Sequence, residues 1–129
     1  MKFTVKNEEK YSQLTLHEDK LNSLISPALK SEIVKLNAEG VINIILNLGE
    51  VKYADSSGLS SILFGDRVCR DENGMFILAA CNDHVIKLLR ISQLDTILNI
   101  IPTVEESVDA VFMNELEKSF GAEENEEQP

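Results

Sequence analysis

The stretch that decides the fold is residues 41–69, VINIILNLGEVKYADSSGLSSILFGDRVC. Its first part, residues 41–48, is apolar on both faces except for Asn43 and Asn47. A strand of that kind sits in the centre of a sheet covered on both sides by helices. A short loop, GEVKYA, leads to Asp55-Ser56-Ser57-Gly58-Leu59. From there the pattern turns helical, with Leu59, Ile62, Leu63 and Cys69 as the expected buried stripe. Asp71-Glu72-Asn73-Gly74 closes it. The reading is therefore a buried strand, a loop, and a helix that opens on two serines.

Working outward towards the N-terminus, residues 2–6 (KFTVK) and 10–17 (KYSQLTLH) each alternate polar and apolar side chains. Alternation marks half-buried strands, and the short Asn7-Glu8-Glu9 link suits an antiparallel hairpin. After the polar stretch EDKLNS, Ser26-Pro27 opens a helix with Ile25, Leu29, Ile33 and Leu36 at helical spacing. Gly40 stops it. Towards the C-terminus, residues 75–80 (MFILAA) read as another buried strand. Asn82 or Asp83 caps a short helix carrying Val85, Leu88 and Leu89. Residues 97–101 (ILNII) read as the last strand. Pro102-Thr103 breaks the pattern, and Val104, Val108, Val111, Phe112 and Leu116 predict a final amphipathic helix with Glu105 and Glu106 in its first turn. The order β-β-α-β-α-β-α-β-α predicts one α/β domain over residues 1–120. Its sheet is central, mixed and mainly parallel, with about four flanking helices. Residues 121–129, rich in Glu, are expected to be a disordered acidic tail.

Composition narrows the function. The net charge of −10 opposes a nucleic-acid partner, because phosphates repel such a surface. Four of the acidic residues lie in the tail, and the body is acidic without them. The only cysteines, Cys69 and Cys81, form no CxxC or zinc spacing, so neither metal nor cofactor is expected. Both are expected to be free thiols in a reducing compartment. The start MKFTVKNEEK lacks the apolar run of a signal peptide, and no apolar run suits a membrane span. The expectation is a cytoplasmic protein with no membrane insertion.

The loop 55–58 lies where a strand hands over to a helix, the usual edge for a binding crevice in α/β folds. A helix N-terminus favours an anion through its unpartnered N–H groups and its dipole. A phosphate on Ser57 would find that environment, and its charge beside Asp55 would disturb an interface. The same residues also suit plain helix capping, and Gly58 suits plain close packing. Spacing leaves both readings open.

The strand, the DSSGL motif and the apolar helix resemble the STAS domain, the fold of bacterial anti-sigma factor antagonists. The resemblance extends over roughly residues 3–113. It takes in Leu21 to Leu36 with its Leu-Asn-Ser…Pro-Ala-Leu run. It also takes in Val85, Leu88, Leu94, Ile97, Ile100 and Thr103-Val104-Glu105-Glu106. In phosphorylatable members the serine before the glycine accepts phosphate from an ATP-dependent anti-sigma factor kinase. The resemblance therefore implies Ser57 as the phosphoacceptor. It implies Asp55, Ser56, Ser57 and Gly58 as the partner-binding loop. It also implies an anti-sigma factor/serine kinase with a histidine-kinase-like ATPase domain as one partner and a PP2C-type phosphatase as another. Two departures touch the surface. The family often has glycine where this chain has Ser92-Gln93-Leu94, and soon after DSSGL where this chain has Ser60-Ser61.

Rival readings are weaker. A serine hydrolase wants a G-x-S-x-G elbow, which is missing, and the two histidines, His17 and His84, are expected on the surface. A Walker-type phosphate loop is missing too. A phospho-aspartate receiver would use Asp55, but the last strand ends Ile100-Ile101-Pro102 without the expected lysine. A non-phosphorylated STAS scaffold, or a subunit of a lipid-transport or other signalling assembly, is the nearest alternative. No catalytic residue is assigned.

Overall fold

In the computed structural model, which describes residues 1–127 and side chains through Gly121, the central strand is β4 (Ile44–Asn47). It pairs in parallel with β2 (Ser12–Leu16) on one side and β6 (Phe76–Ala79) on the other. β1 (Phe3–Asn7) closes one edge as the antiparallel arm of a hairpin with β2, and β7 (Asn99–Ile101) closes the other in parallel. The sheet order is β1-β2-β4-β6-β7. This is the expected α/β architecture, with four helices around a mixed, mostly parallel sheet.

The period of the strands divides the core. Ile44 and Leu46 point to the face packed by α1 (Ser26–Ala38), α2 (Ser56–Asp71) and α3 (Asp83–Ile91), through Leu29, Ile33, Ile62, Val85 and Leu89. Ile45 points the other way, where Ile77, Ala79 and Val111 form a smaller cluster under α4 (Val104–Glu127). Three helices thus cover one face and one covers the other. Asn43, polar in an apolar strand, pins that last helix. Its amide nitrogen donates to the Lys10 carbonyl and to Glu115 Oε1, both at 2.9 Å, and its oxygen accepts the Met75 amide at 2.8 Å.

Several sequence expectations shift. The buried stripe of α2 is Gly58, Ser61, Ile62, Gly65, Asp66 and Cys69, while Leu59 and Leu63 are only half-buried. Small residues line that face because the sheet presses close; a Cβ on Gly65 would stand 2.5 Å from the Phe76 ring. On α4, Val111 is fully buried but Phe112 and Leu116 stay about half exposed. The predicted strand at 97–101 is shorter, because Leu94–Thr96 form a 3₁₀ turn entered by Gln93 at φ +61°. Gln93 falls in the departure from the family's glycine and occupies a backbone region that favours glycine. Gly40, at φ +96°, ends α1 as expected, with the Val41 amide reaching back to the Leu36 carbonyl. The backbone of α4 runs into the acidic segment. Of the expected disordered tail over 121–129, residues 121–127 continue the helical backbone of α4, and 128–129 lie outside the described residues. Among the described residues, no helix is long and apolar enough to cross a membrane.

Candidate functional site

The loop leaving β4 is held at several points before it reaches Asp55. Asn47 Oδ1 accepts the Gly49 amide at 2.9 Å, which turns the chain. Asn82, the N-cap of α3, also donates to the Val51 carbonyl at 3.2 Å and ties two loops at this edge of the sheet. Then Tyr53–Ala54 form β5, a two-residue strand parallel to β3 (Lys20–Leu21). The Asp55 amide continues this pairing by donating to the Leu21 carbonyl at 3.2 Å. The small sheet delivers Asp55 to the start of α2.

Asp55 is the N-cap, with extended backbone at φ −110°. Its Oδ1 accepts three bonds: the Ser57 amide at 3.0 Å, the Gly58 amide at 3.0 Å and the Ser57 hydroxyl at 2.6 Å. The Ser57 hydroxyl, and behind it the Gly58 amide, hold the Asp55 carboxyl below the usual carboxylate range, against a smaller opposing effect of burial. The helix end therefore carries an anion of its own. Two of the amides that sequence reasoning left free for a phosphate are engaged by Asp55.

Gly58 sits where nothing larger fits. A Cβ there would stand 2.3 Å from the Leu21 carbonyl oxygen, the same oxygen that receives the Asp55 amide. The close packing has one cause: β3 lies directly against the first turn of α2.

Ser57 is half-buried, Ser56 is exposed, and Ser61 is buried with its hydroxyl donated to the Gly58 carbonyl at 2.7 Å. Ser57 Oγ lies 3.4 Å from Ser26 Oγ, whose proton has a shorter acceptor in the Asn22 carbonyl at 2.7 Å. Ser57 opens on a shallow surface cavity of about 320 Å³ lined by Ser23, Ser26, Pro27, Lys30, Ser57 and Ser60. Lys30 Nζ reaches Ser60 Oγ at 3.4 Å and lies 5.9 Å from the centre of the Phe64 ring. A second groove continues past Ser56, Leu63 and Phe64 to Arg67. Asp55, Ser56, Ser57 and Gly58 are consecutive at the start of α2, with Ser56 exposed, Asp55 and Ser57 half-buried and Gly58 buried. Ser26 and Lys30 join them from α1. No local pattern could have identified these two, because they meet Ser57 only through the packing of α1 on α2.

The remaining reactive groups lie in structural settings. His17 bonds Thr4 Oγ1 at 2.6 Å and Glu50 Oε2 at 2.5 Å, and His84 stacks on Tyr53. Burial pushes the Cys69 thiol up to about 12 and that of Cys81, half-buried, up to about 11. Both remain protonated thiols near neutral pH.

A helix-covered mixed sheet with a capped serine loop at its edge defines a class, and comparison with known proteins names it. The STAS domain family model matches residues 12–107, and the chain belongs to that family. A crystal structure from Thermotoga maritima, assigned as an anti-sigma factor antagonist, is 28% identical, with a TM-score of 0.75 over 84% of this chain and 93% of that one. The phosphorylated form of SpoIIAA, a Bacillus cell fate determinant, is 23% identical, with a TM-score of 0.66 over 85% of this chain and 99% of that one. The fold also occurs in a sulfate transporter family protein from Wolinella succinogenes, at 12% identity and a TM-score of 0.69 over 79% and 84% of the two chains.

Proposed function

We propose that this chain is a partner-switching antagonist of an anti-sigma factor, controlled by reversible phosphorylation of Ser57. The observation that carries the reading is the placement of Ser57. Its hydroxyl lies beside an open cavity at the exposed edge of the sheet, while the same residue's amide is fixed by the Asp55 cap. The position can change chemically without unmaking the first turn. Likeness to an assigned anti-sigma factor antagonist supports it, as does the existence of SpoIIAA in phosphorylated and unphosphorylated forms.

In this reading the chain is a binding module with no catalytic step of its own, working in the cytoplasm. The unphosphorylated face around Asp55, Ser56, Ser57 and Gly58 binds a serine kinase that is also the anti-sigma factor and carries a histidine-kinase-like ATPase domain. That kinase transfers the γ-phosphoryl group of ATP to Ser57 Oγ. The Oγ–P bond forms, the bond to ADP breaks, and the serine proton leaves. The new charge, about −1.5 to −2, enters a face that already carries the Asp55 carboxylate and weakens binding. A PP2C-type phosphatase restores the face by hydrolysis.

The test is incubation with the candidate kinase and ATP, followed by mass spectrometry. Phosphate is expected on Ser57 alone. Ser57→Ala is expected to keep partner binding and Ser57→Asp to weaken it at least tenfold. Phosphate elsewhere, or equal binding by both variants, overturns the proposal. Partner binding without any labelling supports the alternative of a non-phosphorylated scaffold in a transport or signalling assembly, the second use of this fold seen among its neighbours.

A further inference from the structure

The helix dipole cannot be the whole welcome for a phosphate on Ser57. The Ser57 and Gly58 amides both donate to Asp55 Oδ1, and so does the Ser57 hydroxyl that would carry the phosphate. Phosphorylation removes that hydroxyl proton and leaves a dianion on an atom 2.6 Å from a carboxylate oxygen. Like charges at that separation repel, so the side chain must swing away from Asp55. On the other side lies the cavity between α1 and α2, about 320 Å³ in volume, which is large enough for the group.

Of the side chains lining that cavity, Ser23, Ser26, Pro27, Ser57 and Ser60 are uncharged, and only Lys30 is a cation. Its ammonium is already directed here, held 3.4 Å from Ser60 Oγ with the Phe64 ring behind it. Arg67 lies in the adjoining groove, beyond Ser60 and Phe64 along α2. We propose that Lys30 is the internal counter-ion of a phosphate on Ser57, drawing it away from Asp55 into the cavity between α1 and α2. Ser26 and Ser60 supply neutral hydroxyls beside it. Phosphorylation on this account does two things at one corner of an acidic molecule. It adds negative charge, and it engages the positive charge of Lys30.

The inference rests on the reading of Ser57 as the acceptor, and its test is built to fail separately. Phosphoserine is incorporated at position 57 by genetic encoding, so that no kinase is needed. The second ionisation of the phosphate, ordinarily near pH 6, is then followed by ³¹P NMR titration. Lys30→Met is expected to raise the midpoint by about half a pH unit relative to the parent, and Lys30→Arg to keep it low. The difference should shrink in 0.5 M KCl, because screening weakens a charge pair and leaves a shape effect untouched. Equal midpoints for the parent and Lys30→Met overturn the pairing. So does an equally raised midpoint in Lys30→Arg, or a difference that salt does not reduce. Absence of kinase labelling at Ser57 would sink the acceptor reading, whereas the titration judges Lys30 whatever that outcome.

Discussion

A methyl group at position 58 would stand 2.3 Å from one backbone oxygen, that of Leu21, and 2.9 Å from the Leu21 side chain. The oxygen cannot yield without moving β3, and β3 holds Asp55 through the bond from the Asp55 amide. A single hydrogen atom in place of a methyl thus keeps the capping carboxylate, the acceptor serine and the small sheet in register. Gly58→Ala is expected to destabilise the protein by about 1–3 kcal/mol, the usual cost of overpacking. Ser60→Ala, at an exposed position one half-turn on, should change stability by less than about 0.5 kcal/mol. Urea unfolding of the two variants checks the contrast. A Gly58→Ala variant as stable as the parent would show that β3 gives way easily and that the loop is not held as described. The motif was legible in the sequence down to its cap, since Asp-Ser-Ser-Gly before an apolar helix is a capping pattern in its own right. What it does not contain is Leu21, more than thirty residues earlier, or the reason a glycine is required there.

The elements were legible to the degree that their own periodicity decides them. The hairpin, the central strand, the cap of α3 at Asn82 and the glycine stop of α1 all follow from local pattern, and the structure has each. The pair β3–β5 does not, because two residues per strand carry no period and exist only through pairing across the fold. Of the expected α2 stripe, Ile62 and Cys69 are buried, but Leu59 and Leu63 are only half-buried, and contact with Phe76 and Ile33 selects Gly65 beside the first two. α4 departs for the opposite reason. It alone covers its face of the sheet, so Val111 is fully buried, while Phe112, edge-on to Tyr11, and Leu116 stay about half exposed. Val111→Ala is therefore expected to cost about 2 kcal/mol. Leu116→Ser, at a position 48% exposed, should cost less than about 0.5 kcal/mol despite removing more apolar surface. Urea midpoints decide between this assignment and the reverse order, which would mean that the apolar residues of α4 are packed.

Across the molecule, three carboxyl groups among the described residues couple stability to pH, and they pull in opposite directions. The Ser57 hydroxyl and Gly58 amide lower the Asp55 value, and the Asn43 amide, with Lys118 beside it, lowers that of Glu115. A group lowered in the folded state contributes stability above its unfolded value, and that contribution is lost as pH falls through the folded value. Both contributions are complete only well above the unfolded values, from about pH 5 upward, and disappear in more acidic solution. Asp66 is different. Burial raises it, against the opposing pull of Arg70 at 2.6 Å, so its ionised form burdens the fold. Its contribution is full below the unfolded value and is lost as pH rises through the raised one. Self-repulsion from a net charge of −10 acts in the same sense as Asp66, because partial protonation relieves it. Self-repulsion should therefore ease as pH falls from 7, and stability should drop steeply below about pH 4, where the Asp55 and Glu115 contributions are lost. Substitution separates the causes. Asp66→Asn should gain stability relative to the parent as pH rises from 3 to 7, because the burdened ionised form is absent from the variant. Glu115→Gln and Asp55→Asn should each soften the acid loss, with the stability near neutrality reduced. Urea unfolding of the four proteins at pH 7, 5 and 3 measures all of this. A difference between Asp66→Asn and the parent that does not change with pH would contradict the assignment of Asp66. An acid limb unchanged in Glu115→Gln would remove the Asn43–Glu115 contact from the list of groups that hold α4 to the sheet.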